Sequence, residues 1–213
     1  MRCIHSEQQQ EECFVKKNQL LSLTLTAMFC ALIIALTFIP YTGYITYGLL
    51  SITTIHVVVI LGAVLLGPWR GAVLGLVWGV TCLLYAMMNG TADAVIFLDP
   101  RISVIPRLLV GFLAGWYYRG FHKLLSRLRP ALGNTLSAIF TGICGTLTNT
   151  VLVLSAISLF GTGVATLGST LTVILQTALA LNGVVETVLA AVVVPAVSAP
   201  LFHLMKRYGA ARL

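Results

Sequence analysis

Two arginines stand where positive charge is hardest to place. Arg101 and Arg107 lie in Asp99-Pro100-Arg101-Ile102-Ser103-Val104-Ile105-Pro106-Arg107, between long apolar runs. A guanidinium is planar and always charged, and its fork of N–H donors suits a carboxylate or a phosphate. Next to hydrocarbon it is costly and usually faces a partner or a wet cavity. Two readings are open for each. Arg101 is solvated beside Asp99, or it reaches an anionic ligand. Arg107, further into the apolar run, snorkels outward, or it receives the anionic end of a ligand.

Other polar residues are embedded in apolar sequence. Glu186 is the sole acid of the last run, and Asn182, four residues earlier, shares its helix face. Thr146, Thr148, Asn149 and Thr150 cluster in the run before it, and His56 follows Thr53-Thr54-Ile55. Asn149 and Asn182 can offer donors and acceptors to the amides and hydroxyls of a polar ligand. All of these equally suit hydrogen bonds that only hold helices together. Tyr41, Tyr44 and Tyr47, three residues apart with Gly43 and Gly48 among them, make a poor helix. They read as a loop covering a site, or as an interfacial aromatic belt.

Enzyme signatures are missing. There is no Gly-x-x-x-x-Gly-Lys-Ser/Thr phosphate loop, no His-Glu-x-x-His zinc pattern and no Gly-x-Ser-x-Gly elbow. The five cysteines (Cys3, Cys13, Cys30, Cys82, Cys144) form no CxxC pair, so neither a disulfide framework nor a zinc site is suggested. No metal, cofactor or catalytic residue is expected.

The elements that position these residues follow from composition. The chain has 213 residues, 58% hydrophobic and 9% charged, with mean hydropathy +0.98. A soluble domain carries about 25% charged residues, so this chain reads as an all-α integral membrane protein. Apolar runs near the ~20 residues that cross a bilayer predict six transmembrane helices over about 20–39, 51–66, 72–88, 102–118, 131–160 and 170–205. Residues 1–19 form an N-terminal tail, 20–207 the six-helix bundle and 208–213 a C-terminal tail. The polar start does not read as a cleaved signal.

Lys and Arg collect on the cytoplasmic side of membranes. With both termini cytoplasmic, the inner segments hold Arg2, Lys16, Lys17, Arg70, Arg119, Lys123, Arg127, Arg129, Lys206, Arg207 and Arg212, eleven of the thirteen positive residues. The exceptions are Arg101 and Arg107. The net charge of +7 therefore reflects inner loops, and nucleic acid is not an expected partner. Ala27, Ala31 and Ala35 form one small-residue stripe, and Gly71, Gly75 and Gly79 another; such stripes let helices approach closely. Pro195 and Pro200 are expected to kink or interrupt the last helix.

Several runs in order carry a resemblance: Ala27-x-x-x-Ala31-x-x-x-Ala35, Thr54-Ile55-His56-Val57, Gly62-Ala63, Gly67-Pro68-x-x-Gly71, Pro106-Arg107-x-x-x-Gly111 and Gly145-Thr146-x-Thr148-Asn149-Thr150. Across residues 20–207 the chain resembles the substrate-binding subunits, or S-components, of energy-coupling factor (ECF) vitamin transporters, most like the pantothenate-binding members. The resemblance implies a multi-pass protein of a prokaryotic cell membrane that takes a vitamin from outside, under a loop after the first helix. It implies as partners a transmembrane coupling subunit, docked on Ala27, Ala31 and Ala35, and two cytoplasmic ATPase subunits. Pantothenate has a carboxylate for Arg107 or Arg101, and an amide and hydroxyls for Asn149 and Asn182. Glu186, His56, Tyr44 and Tyr47 complete the expected substrate-binding set. Cobalamin, folate and riboflavin are alternative substrates. From other classes, the alternatives are an intramembrane enzyme using Glu186, His56 or Asp93, and a purely structural membrane protein.

Overall fold

In the computed structural model the backbone is described for residues 2–39, 42–47, 50–88, 97–127, 130–160 and 169–207. Among these residues the chain forms helix α1 (Arg2–Phe38), strands β1 (Tyr44–Tyr47) and β2 (Leu50–Thr53), then α2 (Ile55–Leu66), α3 (Pro68–Met88) and α4 (Pro100–Leu124). A 3-10 turn at Leu125–Arg127 leads to α5 (Pro130–Phe160), and α6 spans Ser169–Arg207. Each expected span falls on one helix, except that the second begins within β2. Four stretches are long and apolar enough to cross a membrane: Gln19–Phe38, Pro68–Met88, Leu132–Phe160 and Ala180–Phe202. Helix α4 is long enough but carries Arg101, Arg107, Arg119 and Lys123; α2 is apolar but short.

The six helices fit the all-α reading among the described residues, with one addition: β1 and β2 pair as an antiparallel hairpin with Tyr44 opposite Thr53 and Tyr47 opposite Leu50. The β-branched residues Ile45, Thr46, Ile52, Thr53 and the two tyrosines favour strand over helix here. The hairpin takes the first residues assigned to span 2, so α2 begins at Ile55. At the other end, α1 extends from Arg2 through the residues assigned to the N-terminal tail. Helix α6 runs unbroken through Pro195 and Pro200.

Helix α2 is the hub. It is apolar all round, which marks a helix buried on every side, and all of its residues but Val58 are buried. It contacts α1, α3, α4, α5 and α6. A sharp turn at Gly67, whose φ of 90° is natural only for glycine, and Pro68 at the start of α3 send the chain back.

Helices α3 and α4 share the most extensive helix–helix contact. The expected glycine stripe is the reason. A Cβ on Gly71 would strike the Gly111 carbonyl, one on Gly75 the Arg107 carbonyl, and one on Gly79 would lie 2.7 Å from Val104 Cα. The backbones meet at these points, and α4 is fixed in register with Arg107 facing inward. By contrast, Ala27, Ala31 and Ala35 are all exposed on α1.

Candidate functional site

The start of α4 places the two arginines differently. Asp99 caps the helix, its Oδ1 accepting the Arg101 backbone N–H at 2.8 Å, with Pro100 in the first turn. Arg101 is thus helical rather than in a loop. It is exposed, and its guanidinium lies over the Phe160 ring, 5.5 Å from the centroid. Arg107 is buried.

The Pro106-Arg107 pair explains how. Proline has no N–H, so the carbonyl four residues back, on Ile102, loses its helical donor. Arg107 Nη1 donates to that carbonyl at 2.7 Å. The guanidinium lies between two rings, 5.3 Å from the Trp78 centroid and 4.8 Å from that of Phe97. Such cation–π contacts strengthen when desolvated. Arg107 Nε has no hydrogen-bond partner among the described residues.

The other helices bring polar groups toward this arginine. Tyr44 and Glu186 both lie within electrostatic range of its guanidinium. His56, in the first turn of α2, is fully buried, its ring 6.5 Å from Trp78. His56 Nδ1 is 4.0 Å from Glu186 Oε2, too long for a hydrogen bond. The Thr53 backbone N–H, at the end of β2, donates to Glu186 Oε1 at 2.6 Å. Tyr44 stacks on Tyr85 of α3, centroids 5.0 Å apart. Asn182 lies one turn before Glu186 and is buried with it.

Among the hydroxyls and amide of α5, the structure separates roles that spacing left open. Thr146 donates to the Gly142 carbonyl (3.0 Å) and Thr150 to the Thr146 carbonyl (3.3 Å), both within the helix. Thr148 pairs with the Tyr117 hydroxyl at 3.1 Å. Asn149 is buried, and its Oδ1 has no partner among the described residues. A Cβ on Gly183 would lie 2.6 Å from Thr150 Oγ1. That close approach puts Asn149 and Asn182 at one level of the bundle.

Of the expected residues, Arg107, His56, Glu186 and Tyr44 therefore converge, Asn149 and Asn182 lie on neighbouring buried turns, and Arg101 stands outside. The side chain of Tyr47, and all of Tyr41 and Asp93, fall outside the described residues. Sequence reasoning missed Trp78, Phe97, Tyr85 and Ser103. Two signals were available. Trp78 sits beside Gly79 in the glycine stripe. Ser103 lies four residues before Arg107, on the same face, fully buried and with Oγ unpartnered among the described residues. The set can hold a small molecule with one acidic group, through the Arg107 donors, the carboxamides and aromatic walls. A separate open groove of about 690 Å³ between α5 and α6, lined by Leu154, Ser155, Ser158, Leu159, Thr177 and Ala180, contains none of these residues.

Comparison with known proteins is consistent with this chemistry. Residues 21–198 match the family model described as ECF transporter, substrate-specific component. The pantothenate transporter PanT of Leuconostoc mesenteroides subsp. mesenteroides is 34% identical over 142 residues, covering 64% of this chain and 68% of the relative. The pantothenic acid transporter PanT of Lactococcus lactis subsp. cremoris is 32% identical over 159 residues, covering 68% of this chain and 74% of the relative.

Proposed function

Because the chain belongs to the family of ECF transporter substrate-specific components, as the match over residues 21–198 establishes, we propose that it captures pantothenate outside the cell for delivery inward. Membership implies association with the components of an ECF module. In this reading those are a transmembrane coupling subunit and two cytoplasmic ATPase subunits, and the chain itself is a binding subunit rather than an enzyme. It crosses a prokaryotic cell membrane six times with both termini cytoplasmic. The placement of eleven of thirteen positive residues on inner segments supports that orientation.

The observation that carries the substrate is Arg107. A buried guanidinium inside a membrane bundle needs a partner. One Nη1 serves Ile102, and the Nε is unpartnered among the described residues. A ligand carboxylate completes it. The names of the two relatives support pantothenate as the source of that carboxylate. Asn149 and Asn182 serve its amide and hydroxyls, and the face formed by Trp78 takes its apolar atoms. His56 and Tyr44 border the site, and Tyr47, on the same hairpin as Tyr44, is a further proposed contact. Arg101, exposed over Phe160, has the weakest support as a ligand contact. The exposed stripe of Ala27, Ala31 and Ala35 is the docking face for the coupling subunit.

Calorimetry on the detergent-purified chain tests this. Pantothenate binds, and its alcohol analogue, which lacks the carboxylate, binds about 10- to 100-fold more weakly, as expected for loss of a charged hydrogen bond. The Arg107→Ala variant loses that preference. Equal affinity for the acid and the alcohol removes Arg107 from its role.

A further inference from the structure

The hairpin is tied down at its base by bonds local to it. The Thr54 N–H donates to the Gly43 carbonyl at 3.0 Å, and the Thr54 hydroxyl to the Thr42 carbonyl at 2.8 Å. A Cβ on Gly43 would strike the Leu36 carbonyl, so this base is seated directly on α1. The bond from Thr53 to Glu186 is of another kind. It reaches 133 residues along the chain, from the end of β2 to the middle of α6. Both Glu186 oxygens are directed at the protein. Oε1 accepts the hairpin N–H, and Oε2 faces His56 of α2.

We propose that Glu186 is a positioning residue, a latch that joins the β1–β2 hairpin to α6 and so holds the hairpin over the ligand, and that it does not contact the ligand's acidic group. This rests on the reading of Arg107 as the receiver of that group. A carboxyl beside an incoming carboxylate is unfavourable as a ligand contact, whereas as a backbone acceptor it serves the hairpin alone. Tyr44 makes the link to the ligand. It lies on the strand paired with β2, opposite Thr53, and within electrostatic range of Arg107. Freeing Thr53 from Glu186 therefore loosens the hairpin that carries Tyr44. A rotation or shift of α6 would pull on the hairpin through the same bond.

Glu186→Ala removes the acceptor, and Glu186→Gln keeps an acceptor oxygen. Thr53→Pro removes the donor from the other side without touching α6, at an edge-strand position whose N–H points away from β1. Hydrogen exchange across residues 44–54 in purified protein without ligand reads the latch directly. In Glu186→Ala and Thr53→Pro the hairpin exchanges at least about tenfold faster, since a locally opened segment loses protection in proportion to its lost stability. Glu186→Gln stays near wild type. Pantothenate release, followed by stopped flow, accelerates by a similar factor in the first two variants, with no slowing of association. Wild-type exchange in both Glu186→Ala and Thr53→Pro, or Glu186→Gln behaving as Glu186→Ala, overturns the latch. If Glu186→Ala does not fold, Thr53→Pro decides alone. The exchange experiment uses no ligand, so a chain that failed to bind pantothenate would sink the proposed substrate and leave the latch to be judged on exchange.

Discussion

Arg107 donates to the carbonyl of Ile102, 2.7 Å away and five residues earlier in the same helix. This is the carbonyl that Pro106 leaves without its backbone donor. A proline inside a helix normally weakens it by about 3 kcal/mol. Here it creates an acceptor inside the bundle and turns the next residue's guanidinium back along α4, between Trp78 and Phe97.

Pro106→Ala restores the missing N–H, which then competes with Arg107 for Ile102. The expected result is a melting temperature equal to or above wild type together with pantothenate affinity weakened about tenfold, the loss of roughly one oriented hydrogen bond. Thermal unfolding and calorimetry on the same preparation check it. A variant that binds as tightly as wild type would show that Arg107 holds its orientation without the proline.

The glycine contacts give a graded test of how α4 is placed. Gly75→Ala and Gly111→Ala set a methyl against the backbone of the facing helix, and each should destabilise the chain by about 1–3 kcal/mol. Both should weaken ligand binding, since α4 must move away from α3. Gly120, on the same helix, has nothing within 4 Å of its added Cβ. Gly120→Ala should leave binding unchanged and stabilise by up to about 1 kcal/mol through helix propensity.

The two arginines should separate cleanly. Arg101→Ala removes an exposed side chain over Phe160 and should change pantothenate affinity by no more than about twofold, within the ±0.5 kcal/mol typical of surface substitutions. Its neighbour matters more to the fold. Asp99→Ala removes the cap of α4 and should cost about 0.5–2 kcal/mol of stability.

The alanine stripe is tested by bulk. Ala31→Trp places a large ring on an exposed face of α1. The isolated chain should fold and bind pantothenate normally, with stability within about 0.5 kcal/mol of wild type. Uptake by cells also supplying the coupling subunit and ATPases should fall at least tenfold. Normal uptake would place the docking face elsewhere.

Much of this protein was legible from local pattern, for a physical reason. Hydrocarbon demands long apolar runs with internally satisfied backbones, so helix order, and the oddity of Arg107 within it, can be read without coordinates. The spacing of Gly71, Gly75 and Gly79 likewise marks a close helix contact, because only hydrogen-sized side chains permit it. The ends of elements were less legible. Residues 51–53 look like the start of an apolar helix, yet β pairing with Tyr44–Tyr47 claims them, and pairing partners are not encoded in the composition of one segment.

Roles that depend on who sits opposite were not legible at all. A threonine hydroxyl can serve its own helix, a neighbour or a ligand, and packing alone assigned Thr146 and Thr150 to the first and Thr148 to Tyr117. Asn149 was left with an unpartnered oxygen among the described residues. Glu186 read as a ligand group because its chemistry permits that. Its bond to Thr53, 133 residues away, exists because the apolar hub α2 draws the hairpin and α6 to the same place. Residue types set what each group is able to do; the crossing of helices around α2 set which groups meet.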